Sequence, residues 1–390
     1  MRWKLGPFPT TLLEIAILVS IAVFVFETAR ERRQVVWRSA LVWPGLLFVV
    51  AGAIAAVTAP SLMHGVGLYR AYILEPILFA VVLINVVRTP RRAFIVAAAL
   101  AAGAAAAGLT NSAVVLMGLL SRTYDVRETP PVVIYSTANA VALYVVPITA
   151  VMGSLALYAR GRERIAGIVF FAAGVVVTGL SFSRGGWMAL AAVVVGLALS
   201  HRRRLILLGV ALLGGGGLLL VPPIFHRIVV ETQNVYGNTV FSRLELWTAA
   251  VKLLEHRPIL GAGLSGFQDR VAPYYARAQT SANFIDPHNI VLNFWVEMGL
   301  LGLIAIVWIF IAVFRVAWRG WRRGDADWRP YHLGVLLAMV AVIVHGMVDV
   351  PYFKNDLSLE FWTLIGVTWA GIQWGGRGLK QARPDVQLAA

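Results

Sequence analysis

The sequence contains no cysteine, and only 14% of its 390 residues are charged. The absence of cysteine excludes disulfide bonds, thiolate nucleophiles and cysteine metal ligands. A soluble globular chain has about a quarter of its residues charged, so this chain falls outside that class. Acidic residues are also scarce, since 19 Asp and Glu stand against 34 Lys and Arg. The basic residues form no compact patch with interleaved aromatics, so a nucleic-acid partner is not predicted.

Long apolar runs are abundant instead, because 59% of the residues are hydrophobic and the mean hydropathy is +0.76. About 20 apolar residues cross a bilayer, and unbroken runs favour helices over strands. We predict one all-α integral-membrane domain over residues 1–390, a polytopic helical bundle. The first run begins near Thr10 and is typical of a membrane anchor, not a cleaved signal peptide. About eleven spans are predicted, near 11–28, 40–58, 71–87, 93–110, 137–159, 165–181, 187–200, 204–221, 289–314, 331–349 and 357–374.

Alternate connections between these runs are basic. Under the positive-inside rule they are cytoplasmic, which places the N-terminus and residues 222–287 outside and makes the number of spans odd. We therefore predict a multi-pass protein of the cytoplasmic (inner) membrane whose site faces the periplasm or the cell exterior. The basic residues are Arg30, Arg32, Arg33 and Arg38; Arg88, Arg91 and Arg92; Arg160, Arg162 and Arg164; Arg202, Arg203 and Arg204; Arg315, Arg319, Arg322, Arg323 and Arg329; and Arg377, Lys380 and Arg383.

The outer segment 222–287 is the only connection large enough to build structure of its own. Its middle part has helical periodicity and predicts an amphipathic helix lying on the bilayer or the bundle. Ser242 and Glu245 have capping-box spacing, so the helix is expected to start at Ser242 and end before Pro258. The predicted apolar stripe is Leu244, Trp247, Val251 and Leu254, opposite Glu245, Lys252 and Glu255.

Several costly polar residues fall at the outer ends of the predicted spans. This grouping of cations and titratable side chains predicts an anionic substrate at that face. Arg243 is expected in the first turn of the outer helix, where a fixed charge and free backbone N–H groups suit a pyrophosphate. The set consists of Arg70, Arg184, Arg243, His288, His345 and Asp349.

The unperturbed pKa of histidine, about 6.5, suits His288 as a base for an acceptor hydroxyl. His345 and Asp349 lie four residues apart, on one helical face, where they can orient a hydroxyl or each other. Simpler readings remain open. Arg70 is then a snorkelling or headgroup-contacting arginine, Arg184 a loop charge, Arg243 a partner in a surface ion pair, His288 a helix cap, and His345 with Asp349 a structural pair.

Four glutamates fall within predicted spans, which keeps a proton-coupled transporter open. Glu297 is nine residues from His288, about half a helical rotation out of phase, so it is expected to face elsewhere. Asp325 and Asp327 form an Asp-x-Asp pattern in a basic cytoplasmic loop and are interpreted as solvated charges. No metal site and no cofactor are predicted. The glutamates are Glu14, Glu75, Glu297 and Glu360.

Five motifs, in order, resemble the O-antigen ligase and O-antigen polymerase superfamily. The resemblance implies a metal-independent glycosyltransferase that acts on undecaprenyl-pyrophosphate-linked glycan in the periplasm or outside the cell. It matches Arg184 and Arg243 to the arginines assigned to the pyrophosphate, His288 to the catalytic histidine, and Asp349 to a frequent functional acid. The motifs are TANAVALYVVP from Thr137, SFSRGGWMAL from Ser181, FSRLELWTAAVKLLEHRPILGAGLSGF from Phe241, DPHNIVLNFWVEMGLLGLI from Asp286 and HGMVDVP from His345.

The resemblance leaves three hypotheses for the chain. The first is an inverting glycosyltransferase, a ligase or a polymerase, whose acceptor is lipid A core, another glycan chain or a protein side chain. The second is a transporter or flippase of lipid-linked glycan, and the third is a non-catalytic lipid-binding subunit. Arg70 matches no motif of the family. Members commonly have about twelve spans with both termini inside, whereas eleven are predicted here. This difference leaves two alternatives open, a wrongly assigned start of the chain or a real eleven-span variant.

Overall fold

The computed structural model describes residues 2–5, 8–37, 39–124, 131–135, 137–218, 220, 225, 239–275 and 284–375. A short hairpin is followed by helices that carry the rest of the fold. Helix α3 contains a π-helical turn at Arg70–Leu74, and a 3₁₀ turn at Ala272–Tyr274 follows α10. The elements are β1 (Arg2–Leu5), β2 (Phe8–Thr11), α1 (Leu12–Arg30), α2 (Val42–Val57), α3 (Leu62–Val86), α4 (Pro90–Leu120), α5 (Ala138–Tyr158), α6 (Gly161–Leu180), α7 (Arg184–Ser200), α8 (Arg204–Leu218), α9 (Thr239–His256), α10 (Phe267–Val271), α11 (Ile290–Arg323), α12 (Arg329–Gly346) and α13 (Asn355–Trp374).

The hairpin leads directly into the first membrane helix. Strands β1 and β2 pair antiparallel, with Arg2 opposite Thr11. Thr11 also caps α1, because its hydroxyl accepts the Glu14 N–H and the Glu14 carboxylate accepts the Thr11 N–H. Such a capping box satisfies two backbone donors that a helix start leaves open. The hairpin was not predicted.

The predicted spans fall on helices, which confirms the all-α polytopic membrane fold. Seven helices in the described ranges are long and apolar enough to cross a membrane: α1, α3, α4, α5, α6, α11 and α12. Three shorter apolar helices, α2, α7 and α8, add to them. The last predicted span falls on α13. The count of eleven spans remains a prediction.

Two helices form the centre of the bundle. In the most apolar stretch of each helix, 83% of the residues of α5 and 72% of those of α12 are buried. The corresponding share for α1 is only 11%, so α1 lies at the periphery. Helix α5 packs against α6 and α12, α12 also packs against α7 and α11, and α13 packs against α3. The apolar side chains that the peripheral helices leave exposed are in contact with lipid in a membrane.

The basic connections meet at one end of the bundle, which we call the basic end. The Tyr331 hydroxyl at the start of α12 donates to the carbonyl of Pro90 at the start of α4 and contacts Glu163 at the start of α6, each at 3.2 Å. Tyr158 at the end of α5 bonds Ser200 at the end of α7, 2.9 Å away. Which side of the membrane this end faces remains a prediction, and Arg38, Arg377, Lys380 and Arg383 lie outside the described residues.

Candidate active site

The outer helix α9 forms, but its start and its buried face differ from the prediction. It runs from Thr239 to His256, so it ends before Pro258 as expected and begins three residues earlier than Ser242. Ser242 is therefore not its cap, and Arg243 lies beyond its first turn. The buried residues are Leu246, Ala249, Ala250, Leu253 and Leu254.

The predicted apolar stripe of α9 was right for Leu254, which is buried, and for Trp247, which packs against the same cluster, but wrong for Leu244 and Val251. Leu244 is 50% exposed and Val251 45% exposed, while Ala249 and Ala250 are buried. The small alanines allow α9 to approach its neighbours closely, and they pack with Phe267 and Val296 in one cluster. Periodicity of large apolar residues therefore located only part of the buried face, because the alanines that complete it carried no such signal.

The segment after α9 forms backbone hydrogen bonds with α11 at a break in that helix. At Gly299 the helix has φ +67° and ψ −176°, which is not helical. The Leu300 N–H donates to the Ile259 carbonyl at 2.9 Å, and the Val296 carbonyl accepts the Ala262 N–H at 2.6 Å. Irregular backbone at membrane depth is tolerated where protein groups satisfy its hydrogen bonds. The outer segment and α11 thus form one unit.

Glu297 anchors the same unit. Its carboxylate accepts the backbone N–H of Ser265, which has a positive φ of 58°, and a backbone hydrogen bond from Phe267. Glu297 therefore faces this segment and not His288, as its helical phase predicted.

We predict that Gly299→Ala destabilises the fold strongly. Its backbone lies in a region open essentially to glycine alone, at a cost of about 1–3 kcal/mol for another residue. An added Cβ would also come within 2.2 Å of the Ile259 carbonyl oxygen. The midpoint of thermal unfolding in detergent measures the loss. Gly209→Ala in α8 is the control, since no heavy atom lies within 4 Å of its added Cβ; equal midpoints for the two variants would contradict the account.

His288 lies two residues before the start of α11, between two carboxylates. Its Nδ1 hydrogen-bonds Asp349 Oδ1 at 3.3 Å and lies 3.3 Å from Asp286 Oδ1. Asp286 also accepts the backbone N–H of His288 at 2.9 Å. The cap of α11 is Asn289, whose side chain accepts two backbone N–H groups and donates to the Met347 carbonyl. The capping interpretation of His288 is therefore wrong.

The charges around His288 alter its pKa. Burial lowers the pKa of the imidazole, but the hydrogen bond to Asp349 and the negative charges of Asp286 and Asp349 outweigh burial and the repulsion of Arg243. The net result is a pKa above the ordinary value. Burial has the opposite effect on the carboxyl group of Asp286 and raises its pKa, and the positive charge of His288 opposes that rise. The pair therefore holds a proton more readily than an isolated histidine does.

Arg184 begins α7, in the turn that the sequence placed between two spans. Ser183 caps this helix, because its hydroxyl accepts the Gly186 N–H at 3.1 Å and donates to Asn139 Oδ1 at 2.7 Å. Phe182, just before it, has φ +51°, and His288 has φ +48°. Such conformations cost about 1–3 kcal/mol each and concentrate at functional sites. Both site turns are thus held in strained geometry.

Arg243 joins the two turns electrostatically. Burial lowers the pKa of its guanidinium, and the charges of Asp349, Arg184 and Asp286 are close enough to act on it. Its buried Nε has no hydrogen-bond partner among the described residues. A buried unsatisfied donor costs about 1–3 kcal/mol, more for a charged group. An anion beside Arg243 would recover that cost.

His345, near the end of α12, lies beside Gly185 at the start of α7. An added Cβ at Gly185 would meet its ring at 2.6 Å, so the glycine after Arg184 leaves room for the imidazole. His345 is in electrostatic range of Asp349 and Arg243. Neither of its ring nitrogens has a hydrogen-bond partner in the part of the chain described. The structure thus brings together Arg184, Arg243, His288, His345 and Asp349, which we call the outer cluster, with Asp286 beside them.

Arg70 belongs to a different group. It lies in the π-helical turn of α3 and contacts Glu14 at 3.0 Å and Glu75 at 3.1 Å. Both glutamates are buried. The interpretation of Arg70 as a snorkelling or headgroup-contacting side chain is therefore wrong, and the two glutamates, which showed no pairing in the sequence, share this arginine.

Sequence reasoning missed three residues that hold the site together. Asp286 and Asn289 flank Pro287 and His288 in one of the motifs, and Asn139 supports the Arg184 turn from α5. The signal for Asp286 was present in the sequence, because an Asp side chain often accepts a hydrogen bond from the backbone N–H two residues later, here that of His288. Asn139 lies 44 residues from Ser183, so local sequence carries no sign of that contact.

Part of the chain is similar to known proteins. Residues 168–307 match the family model described as O-Antigen ligase. This segment of the chain is O-antigen ligase-like. It contains Arg184, Arg243 and His288 and ends before His345 and Asp349.

The chain is also similar to an uncharacterized protein of Haemophilus influenzae (strain ATCC 51907 / DSM 11121 / KW20 / Rd). The two are 27% identical over 170 residues, which is 38% of this chain and 42% of that protein. The chain therefore matches less than half of that relative's length. Among the residues described, no group of three or more His, Cys, Asp or Glu side chains could hold a metal ion. Metal independence remains a prediction.

Proposed function

We propose that this O-antigen ligase-like protein transfers a glycan from an undecaprenyl-pyrophosphate donor to an acceptor hydroxyl at the outer face of the cytoplasmic membrane. The observation that carries the proposal is the buried Nε–H of Arg243, which no described residue accepts, beside the His288–Asp349 pair. It supplies a place for an anion next to a proton acceptor. Lipid A core, another glycan chain or a protein side chain can serve as acceptor, so ligase and polymerase share this scheme.

His288 acts as the general base. With its Nδ1–H donated to Asp349, the imidazole keeps Nε2 available to accept a proton. The acceptor oxygen attacks the anomeric carbon while its proton passes to Nε2. In the same step the bond between that carbon and the pyrophosphate oxygen breaks. A single displacement of this kind inverts the anomeric configuration.

Arg184 and Arg243 hold the leaving group. Lipid pyrophosphate gains negative charge as the glycosidic bond breaks, and fixed cations lower the energy of that charge without rearranging. A guanidinium also offers paired N–H donors that match phosphate oxygens. Asp286 and Asp349 are close enough to Arg243 and His288 to act on both electrostatically, and their negative charges offset the repulsion of Arg243 by Arg184 when the donor is absent. No cofactor takes part in this scheme.

The flippase alternative requires carboxylates that carry protons across the membrane. Glu14 and Glu75 are held by Arg70, and Glu297 is bound by backbone N–H groups of the outer segment. These partners give three of the four membrane glutamates structural roles. The observation favours transfer over transport.

The pH dependence of transfer tests the role of Asp349. Only the neutral imidazole accepts a proton, so the rate falls as the pH drops through the raised pKa of His288. We predict that the acid limb of kcat/KM, which reports the free enzyme, lies above pH 6.5 in the wild type. Asp349→Asn removes a hydrogen bond and a negative charge that raise the pKa of His288, while burial and Arg243 still lower that pKa. The acid limb of the pH profile should therefore move to lower pH. A limb at the same pH in both proteins would contradict the pairing.

Product analysis tests the reaction itself. Purified protein is mixed with a lipid-pyrophosphate oligosaccharide, and candidate acceptors are added one at a time. The proposal predicts a new glycosidic bond of inverted configuration together with free polyprenyl pyrophosphate. Retention of configuration would exclude the single displacement.

A further inference from the structure

A cavity of about 560 Å³ opens at the basic end, far along the chain from the outer cluster. It lies between the last turn of α1, the connection to α2, and the turn from α3 to α4. Arg33, Arg88 and Arg92 line its polar side, and Phe24 and Val86 contribute apolar wall. The mixture of cations and apolar side chains sets it apart from a purely solvated groove.

Two of these arginines are held by the backbone at the end of α3. Arg88 Nε donates to the Asn85 carbonyl and Arg92 Nη1 to the Val86 carbonyl, each at 2.8 Å. The Arg88 guanidinium also stacks over Trp374, 4.9 Å from the ring centre. Each guanidinium has five N–H donors, so one backbone bond leaves most of them for a ligand.

The charge of the cavity favours an anion. Arg33 pairs with Glu31, and among the described lining residues Glu27 is the one carboxylate. Arg88 and Arg92 form no salt bridge with any residue that the structure describes. The N-terminus of the 31-residue helix α4, capped by Thr89, adds the positive end of its dipole.

Tryptophans mark the depth of the cavity. Trp37 is 59% exposed, Trp43 is 70% exposed, and Trp374 donates its ring N–H to the Ile84 carbonyl at the same end. Tryptophan collects at the level of lipid headgroups. A ligand at this level has its phosphate beside the arginines and its chains against the apolar wall. Basic pockets between membrane helices bind lipid headgroups in this way.

We propose that this cavity binds the phosphate of an anionic phospholipid. The site is separate from the outer cluster and does not depend on glycosyl transfer. The phospholipid, not free phosphate, is the ligand because the cavity joins the basic rim to an apolar wall.

Native mass spectrometry of the full chain in neutral detergent tests the proposal, with phosphatidylglycerol as probe and phosphatidylcholine as reference. The wild type is expected to bind phosphatidylglycerol more tightly. Arg88→Gln/Arg92→Gln should weaken that binding by roughly 25-fold, from about fivefold for each basic residue near a membrane surface. Arg88→Lys/Arg92→Lys keeps the charge and should retain most of the binding.

Arg202→Gln/Arg203→Gln is the matched control, since it removes the same charge from the exposed turn before α8. It should change binding by less than about twofold. Equal losses in the two double variants would show diffuse attraction and overturn the site. Displacement of the lipid by inorganic phosphate at millimolar concentration would assign the cavity to a free anion and overturn the lipid proposal.

Discussion

His288→Gln is expected to abolish glycan transfer while the protein still inserts and folds. The imidazole is the proton acceptor of the proposed step, and general base catalysis contributes about 10²–10⁴-fold in rate. Glutamine keeps a polar side chain of similar length beside Asp286 and Asp349 but cannot take the proton. Transfer is measured with purified protein as new glycosidic bond per unit time at saturating donor and acceptor.

His64→Gln serves as the control, because His64 is an exposed histidine near the start of α3. It should retain wild-type transfer. Unfolding midpoints of both variants report on folding independently of activity. Full transfer by folded His288→Gln would refute the assigned role.

Arg243→Gln is expected to lower kcat/KM for the lipid-linked donor by about 10²–10³-fold, the usual effect of removing one group that stabilises transition-state charge. The reason is its position, since its Nε is buried and the charges of Arg184, Asp349 and Asp286 are close enough to act on its guanidinium. Arg243→Lys keeps the charge but loses the paired donors, so an intermediate loss is expected. Steady-state kinetics with donor varied at fixed acceptor measure both.

Arg257→Gln is the matched control for Arg243, because Arg257 is exposed just after the same helix. It should leave kcat/KM within about twofold of wild type. An equal loss in both variants would mean that general surface charge, not a defined anion site, governs donor use.

That the candidate site residues lie at one end of the bundle was predictable, because the distribution of arginines between the spans assigns each connection to one side of the membrane. The arginine bias between spans placed Arg184, Arg243, His288 and Asp349 at one membrane face before any contact was known. Their arrangement depends on contacts between distant segments. The His288–Asp349 bond joins residues 61 apart, and the two motifs that carry them gave only their order along the chain.

Other features had no local signal. The run around Gly299 looks like an ordinary apolar helix with packing glycines, and its break is visible only beside the Ile259 and Ala262 backbone that satisfies it. Arg70 and Glu14 are 56 residues apart, so their ion pair could not be inferred from helical spacing. For α9 the hydropathy pattern was only partly informative, since Leu254 is buried as predicted but Leu244 and Val251 are half-exposed and two alanines take their place.

The central claim is that the outer cluster grips a lipid pyrophosphate and breaks its bond to the sugar. Vesicles that contain the protein, labelled donor and an acceptor test it most directly, with polyprenyl pyrophosphate, new glycosidic bond and transbilayer movement followed together. We expect one polyprenyl pyrophosphate to be released per bond formed, and neither product with His288→Gln. Movement of intact donor across the bilayer without new bonds, unchanged in His288→Gln, would contradict it.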